Sequence, residues 1–130
     1  MQITRLDHLV LTVADPAATV DFYVKLGMRA ETFEDGRVTL HFGEQKLNVH
    51  SAGAEITPHA TRPTPGSADI CFLVEASIED IAAELRTAGL TVDIGPVERT
   101  GAQGRLMSLY LRDPDSNLIE LSEQLDGSTL

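Results

Sequence analysis

The feature of the sequence that most restricts the fold is an order of predicted elements that occurs twice. In the first half, the aliphatic run at 6–13 predicts a strand, and apolar positions at helical spacing after Pro16 predict a helix that ends at Gly27. Asp15 is the expected N-cap of this helix. Strand-like runs separated by glycine turns follow before residue 53, which gives the order β-α-β-β-β.

The second half repeats this order after a linker at 53–66, which contains prolines and shows no periodicity. A strand is predicted at 68–75, followed by an amphipathic helix that Ser77 caps and Gly89 ends. Further strands are predicted at 90–95, 105–113 and 117–123, with a loop at 96–104 before the second of them.

Two consecutive βαβββ modules predict a fold of the α+β class. A chain of 130 residues suffices for one domain, and a module of half that size cannot cover its own sheet. We therefore predict a single domain over 1–126, with module one at about 1–52 and module two at about 67–126. A chance match between generic strands and helices is the alternative explanation. Polar residues that coincide at strand ends argue against chance.

Four residues able to bind metal coincide when one half is aligned with the other. His8 falls on Asp69, and beyond the longer loop His50 falls on Glu120. The sequence predicts a site for one divalent ion, Ni, Zn, Mn or Fe, because imidazoles combined with carboxylates suit these metals. Taken singly, His8 would be interpreted as a core histidine, His50 as a surface histidine and Asp69 as a capping residue.

Glu120 carries the strongest single signal. It lies between two apolar residues in a run that looks buried, where an unpaired carboxylate is costly, so it is expected to face a cation. That cation could be the metal or an arginine such as Arg105 or Arg112. Beside a metal that polarises two substrate oxygens, Glu120 is the first candidate for the catalytic base and Asp69 the second.

Charge and cysteine content exclude several classes of function. The formal net charge is −10, and no cluster of Lys and Arg marks a surface for nucleic acid or an anionic membrane. The apolar run at 8–13 lacks a basic leader, so it predicts neither a signal peptide nor a membrane span, and a cytoplasmic protein is expected. The single cysteine, Cys71, excludes an internal disulfide and is predicted to be buried and inert.

Three segments, LDHLVLTVAD, DFYVKLGM and YLRDPDSNLIEL, resemble signatures of the vicinal oxygen chelate superfamily of glyoxalase, bleomycin resistance and extradiol dioxygenase proteins. The resemblance runs from about Leu6 to Glu123. It implies paired βαβββ modules that form a curved mixed sheet around a metal-binding cavity, with His8 as the first ligand and Glu120 as the metal-binding glutamate. The stretches FGEQKLNVH, PTPGSADICF and GPVERTGAQGRLMSLYLRDPDSNLIE are similar to a narrower group, the glyoxalase-domain-containing and virulence-associated proteins of unassigned substrate.

Two positions depart from the pattern of the superfamily. Asp69 lies where the second module usually begins with a histidine ligand. Asn48 and His50 lie nearest to the position of the glutamate ligand that ends the first module of glyoxalase I. The resemblance also implies a small-molecule substrate and a homodimer.

Three functions are compatible with the resemblance. A glyoxalase-like metal-dependent lyase or isomerase is predicted first, with a ring-cleaving dioxygenase of the extradiol type as the enzymatic alternative. A metal-free antibiotic-binding protein is the alternative from another class, although four Phe, two Tyr and no Trp offer little aromatic surface. The candidate substrate contacts, which could bind a carboxylate or phosphate or could simply be exposed on the surface, are Arg62, Arg99, Arg105 and Tyr110.

Overall fold

The computed structural model describes residues 1–126, which divide into two compact units, Met1–Ala68 (module one) and a second unit that begins at Asp69 (module two). Module one consists of β1 (His8–Val13), α1 (Pro16–Lys25), β2 (Arg29–Thr32), β3 (Val38–Phe42) and β4 (Gln45–Ser51). Module two consists of β5 (Asp69–Leu73), α2 (Ile78–Thr87), β6 (Ile94–Gly101), β7 (Gly104–Arg112) and β8 (Leu118–Gln124). Each module has its own four-stranded mixed sheet, in the order β1-β4-β3-β2 or β5-β8-β7-β6, so the predicted α+β class and the two βαβββ modules are confirmed.

Module one packs α1 against its sheet. The helix begins where predicted, because the Asp15 carboxylate accepts hydrogen bonds from the backbone N–H groups of Ala17 at 3.0 Å and Ala18 at 3.3 Å. β1 pairs in parallel with β4, so alternate side chains of the two strands share a face. One face is apolar and buried, and its residues on these strands are Leu11, Val13, Leu47 and Val49.

Module two repeats this arrangement, with α2 against β7 and β8. Ser77 Oγ accepts a hydrogen bond from the backbone N–H of Asp80 at 3.1 Å, which confirms the predicted cap. Glu123 on β8 accepts another from the backbone N–H of Ile78 at 3.0 Å, which ties the start of the helix to the sheet. The buried face is again apolar, with Leu109, Leu111, Ile119 and Leu121. Among residues 1–126 no helix has both the length and the apolar character needed to cross a membrane.

The strand after α2 differs from the prediction. Residues 96–104 were expected to form a loop, but β6 runs over Ile94–Gly101 and pairs with β7. Pro96 and the polar residues that follow it produced a turn-like pattern in the sequence. β6 is an edge strand with a bulge between Ile94 and Val97. Both features tolerate Pro96, because a residue at an edge or in a bulge need not donate a backbone hydrogen bond to the neighbouring strand.

Gly95 allows the backbone of β6 to lie close to that of β7. Its φ is +113°, and a Cβ added there would lie 2.5 Å from the backbone oxygen of Ser108. Gly95→Ala is therefore expected to lower the free energy of unfolding by about 3 kcal/mol, since backbone strain and overpacking add. Gly89→Ala is the matched control, because Gly89 also has a positive φ, +75°, but open space around it. Urea denaturation would measure both variants, and equal destabilisation would contradict the steric argument.

Candidate functional site

The exposed face of the module-one sheet contains a cavity of about 280 Å³. Its floor comes from β1 and β4, whose register places His8 opposite Lys46, Val10 opposite Asn48, and Thr12 opposite His50. These residues therefore share one face of the sheet. Residues 56–58 of the predicted linker form part of the wall, a role that the sequence did not indicate because this stretch shows no periodicity.

His8 is oriented by its neighbour in the chain. Its Nδ1 lies 2.9 Å from Oδ2 of Asp7, and the imidazole is 45% exposed. Because a carboxylate accepts hydrogen bonds but cannot donate them, Nδ1 of His8 carries the proton. This hydrogen bond lowers the pKa of the Asp7 carboxyl. A neutral His8 with this hydrogen bond has its lone pair on Nε2, as in metal-binding histidines whose other nitrogen donates to a carboxylate.

Asn48 and His50 each hold a buried polar atom without a partner. Among the described residues, Oδ1 of Asn48 and Nδ1 of His50 have no hydrogen bond. Leaving such an atom unsatisfied costs about 1–3 kcal/mol. Both residues line the module-one cavity, so a bound group that satisfies these atoms would stabilise the fold.

The strand register corrects one equivalence drawn from the sequence. Glu120 pairs with Cys71 on the parallel strand β5, two residues after the pair Asp69 and Leu118. In module one, the first pair is His8 on β1 with Lys46 on β4. The residue of β4 two positions after Lys46 is Asn48. The predicted match of His50 to Glu120 was therefore wrong by two residues, because alignment of the two halves could not place the gap between helix and last strand. Asn48, which lies between Leu47 and Val49 on β4, is the structural counterpart of Glu120.

Glu120 is held by two buried hydroxyls. Ser108 Oγ on β7 donates a hydrogen bond to Oε2 of Glu120 at 2.7 Å, and Ser122 Oγ lies 3.4 Å from the same oxygen. Both serines are fully buried and their hydroxyls are 2.7 Å apart. The sequence predicted a cation beside Glu120 and missed the two serines. They could have been noticed as small polar residues inside apolar strands.

The cavity beside Glu120 measures about 520 Å³ and is lined by side chains of module two. Arg99 contributes to its wall, donates from Nε to the Tyr110 hydroxyl at 3.0 Å, and places its guanidinium 5.5 Å from the centre of that ring. Cys71 was predicted to be buried, but strand alternation places it on the exposed face instead. Desolvation raises the pKa of its thiol.

Two arginines considered as partners of Glu120 are engaged elsewhere. Arg105 forms ion pairs with Glu98 and Asp126, and its hydrogen bonds lower the pKa of the Asp126 carboxyl. It lies on the other face of the sheet from Glu120, because its neighbour Leu106 shares the face of Glu120. Arg112 lies 3.7 Å from Asp93.

Two further candidates are exposed. Asp69 is the first residue of β5, opposite Leu118. Arg62 lies in the part of module one that follows β4. Within residues 1–126, no three side chains from His, Cys, Asp and Glu form a group that could hold a metal ion. Of the four predicted ligands, His8 and His50 belong to module one and Asp69 and Glu120 to module two. All four are residue types that divalent metals bind.

The chain matches the glyoxalase/bleomycin resistance protein/dioxygenase superfamily over residues 5–121. It belongs to this superfamily, which confirms the resemblance seen in its strand and turn segments. Virulence protein STM3117 of Salmonella typhimurium is 53% identical over 124 residues, or 95% of this chain and 86% of that protein. The crystal structure of that protein superposes with a TM-score of 0.93 at 52% identity, covering 96% of this chain and 100% of the other.

Other relatives include the glyoxalase domain-containing protein RDO1 of Mycosarcoma maydis, 49% identical over 98% of this chain and 72% of its own length. Similarity of fold alone extends to the lactoylglutathione lyase of Agrobacterium tumefaciens, with a TM-score of 0.72 and 20% identity over 95% of this chain and 96% of the other. It also extends to TnmS3, an antibiotic binding protein of Streptomyces, with a TM-score of 0.70 and 21% identity over 95% and 98%. One fold thus serves a lyase and a binding protein.

Proposed function

We propose that the chain is a glyoxalase-like, metal-dependent lyase or isomerase that acts on a small oxygenated substrate. The observation that carries this proposal is the Glu120 carboxylate, oriented by Ser108 at 2.7 Å beside an open cavity. A carboxylate held in this way can accept a proton from a bound substrate. Asp69, exposed at the start of β5, is the second candidate for that role.

One divalent ion, Ni, Zn, Mn or Fe, is the proposed cofactor, and its proposed ligands are His8, His50, Asp69 and Glu120. The unsatisfied Oδ1 atom of Asn48 adds a fifth candidate, since amide oxygens also bind such ions. When bound, the ion would polarise two neighbouring oxygens of the substrate.

Substrate contacts are proposed in module two. The Arg99 guanidinium, stacked on Tyr110, lines the cavity that also contains Glu120, so it is placed to bind an anionic group there. Arg105 stays a prediction, although its ion pairs on the opposite face offer no support. A homodimer is also proposed. Leu73 is 61% exposed on the face of β5 that carries Cys71, and a partner subunit would cover it.

A metal-free binding protein is the second candidate. It is supported by the fold that the chain shares with TnmS3, an antibiotic binding protein, and by the open cavity of about 520 Å³ in module two. The ring-cleaving dioxygenase stays a prediction, and an aerobic assay with catechol and Fe(II) would test it.

Metal addition separates the two candidates. Protein prepared without a histidine tag and treated with a chelator is expected to gain about 2.7 kcal/mol of stability at a metal concentration 100 times the Kd. Thermal unfolding with Ni, Zn, Mn and Fe would measure the gain. His8→Ala should abolish it, whereas His59→Ala, a histidine bonded to Ala60 O in the linker, should not. A parent protein that no metal stabilises would contradict the metal-dependent enzyme and favour the binding protein.

A further inference from the structure

Lys46 is a cation that lines a cavity of an acidic protein. It lies on β4 directly opposite His8, on the face that forms the floor of the module-one cavity. Among residues 1–126 its ammonium forms no ion pair within 4.0 Å and no hydrogen bond, and its charge helps to lower the pKa of the nearby Asp7 carboxyl. Since the chain carries 20 acidic and 10 basic residues, a cavity whose charged lining residues are all basic is unexpected.

The lining of the module-one cavity has one sign of charge. Arg37 and Lys46 contribute cations, His8 and His50 contribute imidazoles, and no Asp or Glu of the described chain belongs to the lining. The carboxylates of this module that flank the site are already paired. These pairs are Asp7 with His8, Asp35 with Arg37, and Glu31 with His41. The carboxylates of Asp35 and Asp7 offset part of the charges of Arg37 and Lys46, but neither carboxylate belongs to the lining, which therefore keeps its positive character.

The rest of the wall is apolar and accessible. Val10 is 42% exposed, Phe33 38% and Ile56 45%, which are high values for large apolar side chains that face a common space. The Arg37 guanidinium lies 5.0 Å from the centre of the Phe33 ring, so the cationic and apolar parts of the wall adjoin. The volume of about 280 Å³ lies at the lower end of the range for ligand cavities and suits a small molecule.

We propose that the module-one cavity binds a small organic anion, with a carboxylate or phosphate on Lys46 and Arg37 and an apolar portion against Val10, Phe33 and Ile56. The ammonium attracts either anion as a point charge, and the guanidinium can bind its oxygens in pairs. The inference deepens the proposed function, because it names the class of substrate that would reach His8 and His50, and it rests on that function for turnover. Binding of the anion needs only the cations of the cavity.

Calorimetry on the full chain, treated with a chelator, tests this inference with phenylacetate, phenyl phosphate and neutral phenylacetamide. The acids are expected to bind at least about tenfold more tightly than the amide, because charge-assisted contacts are lost in the amide. Whichever of the two anions binds more tightly shows whether the cavity prefers a carboxylate or a phosphate. Lys46→Gln should weaken binding of that anion about tenfold. Lys25→Gln is the matched control, because Lys25 is a lysine of the same module paired with Asp21 on α1, and it should leave binding unchanged.

Equal binding of acid and amide, equal effects of the two lysine variants, or no saturable binding of either anion would overturn the inference. Salt is a further check, since binding that depends on these partly exposed cations should weaken between low and high ionic strength. The outcomes also separate this inference from the proposed function. Anion binding without metal binding supports the inference and contradicts the metal-dependent enzyme. Metal binding without anion binding does the reverse.

Discussion

Glu120→Gln is expected to weaken metal binding by about 100-fold or more and to reduce metal-dependent turnover at least as much. Mutation of groups that only hydrogen-bond to a metal ligand already lowers metal affinity or activity by about 10- to 100-fold. The amide removes the negative charge but keeps an oxygen that can accept the hydrogen bond from Ser108. The stability of the fold should therefore be largely retained, so the loss of metal affinity reports on the negative charge at the site. Competition with a chromogenic chelator would measure the metal affinity.

Two variants give this experiment its controls. Ser108→Ala removes the hydroxyl that orients Oε2 and is expected to weaken metal binding about tenfold. Glu84→Gln removes the same charge from an exposed position on α2 and should have no effect. If Glu120→Gln and Glu84→Gln bind metal equally well, Glu120 is not a ligand.

Asp113→Ala is expected to lower the free energy of unfolding by about 3–5 kcal/mol, because it leaves several buried donors without an acceptor. Asp113 is 5% exposed. Its Oδ1 accepts hydrogen bonds from the backbone N–H groups of Asp115 and Asn117, both at 2.9 Å, and its Oδ2 accepts one from the Asn117 side chain at 2.8 Å. This turn leads directly into β8, so its loss should also loosen the strand that carries Glu120. Thermal and urea unfolding would measure the change.

Asp35→Ala is the matched control for Asp113→Ala. The Asp35 carboxylate also accepts a hydrogen bond from a backbone N–H two residues later, that of Arg37 at 3.1 Å, but its side chain is 57% exposed. Water replaces the lost acceptor there, so the expected cost is below about 1 kcal/mol. A similar loss of stability in both variants would show that burial does not govern the effect.

Much of the architecture could be predicted because its signals are local. Asp15 and Ser77 cap the two helices, and their hydrogen-bond partners lie two or three residues away. Burial within a strand was harder to predict. Cys71 was expected to be buried and is exposed, because its run is apolar on both faces and nothing in its pattern separates the core face from the exposed one.

The sequence by itself determined the repeated βαβββ order and the helix caps and marked Glu120 as a candidate, because each depends on residues close together in the chain. Only the tertiary structure decided that Asn48 is the counterpart of Glu120, that Ser108 and Ser122 hold its carboxylate, and that Lys46 lies in a cavity without acids. These relations join residues on different strands. They depend on strand register, which the packing of a whole sheet selects, and not on the local preferences of any one segment.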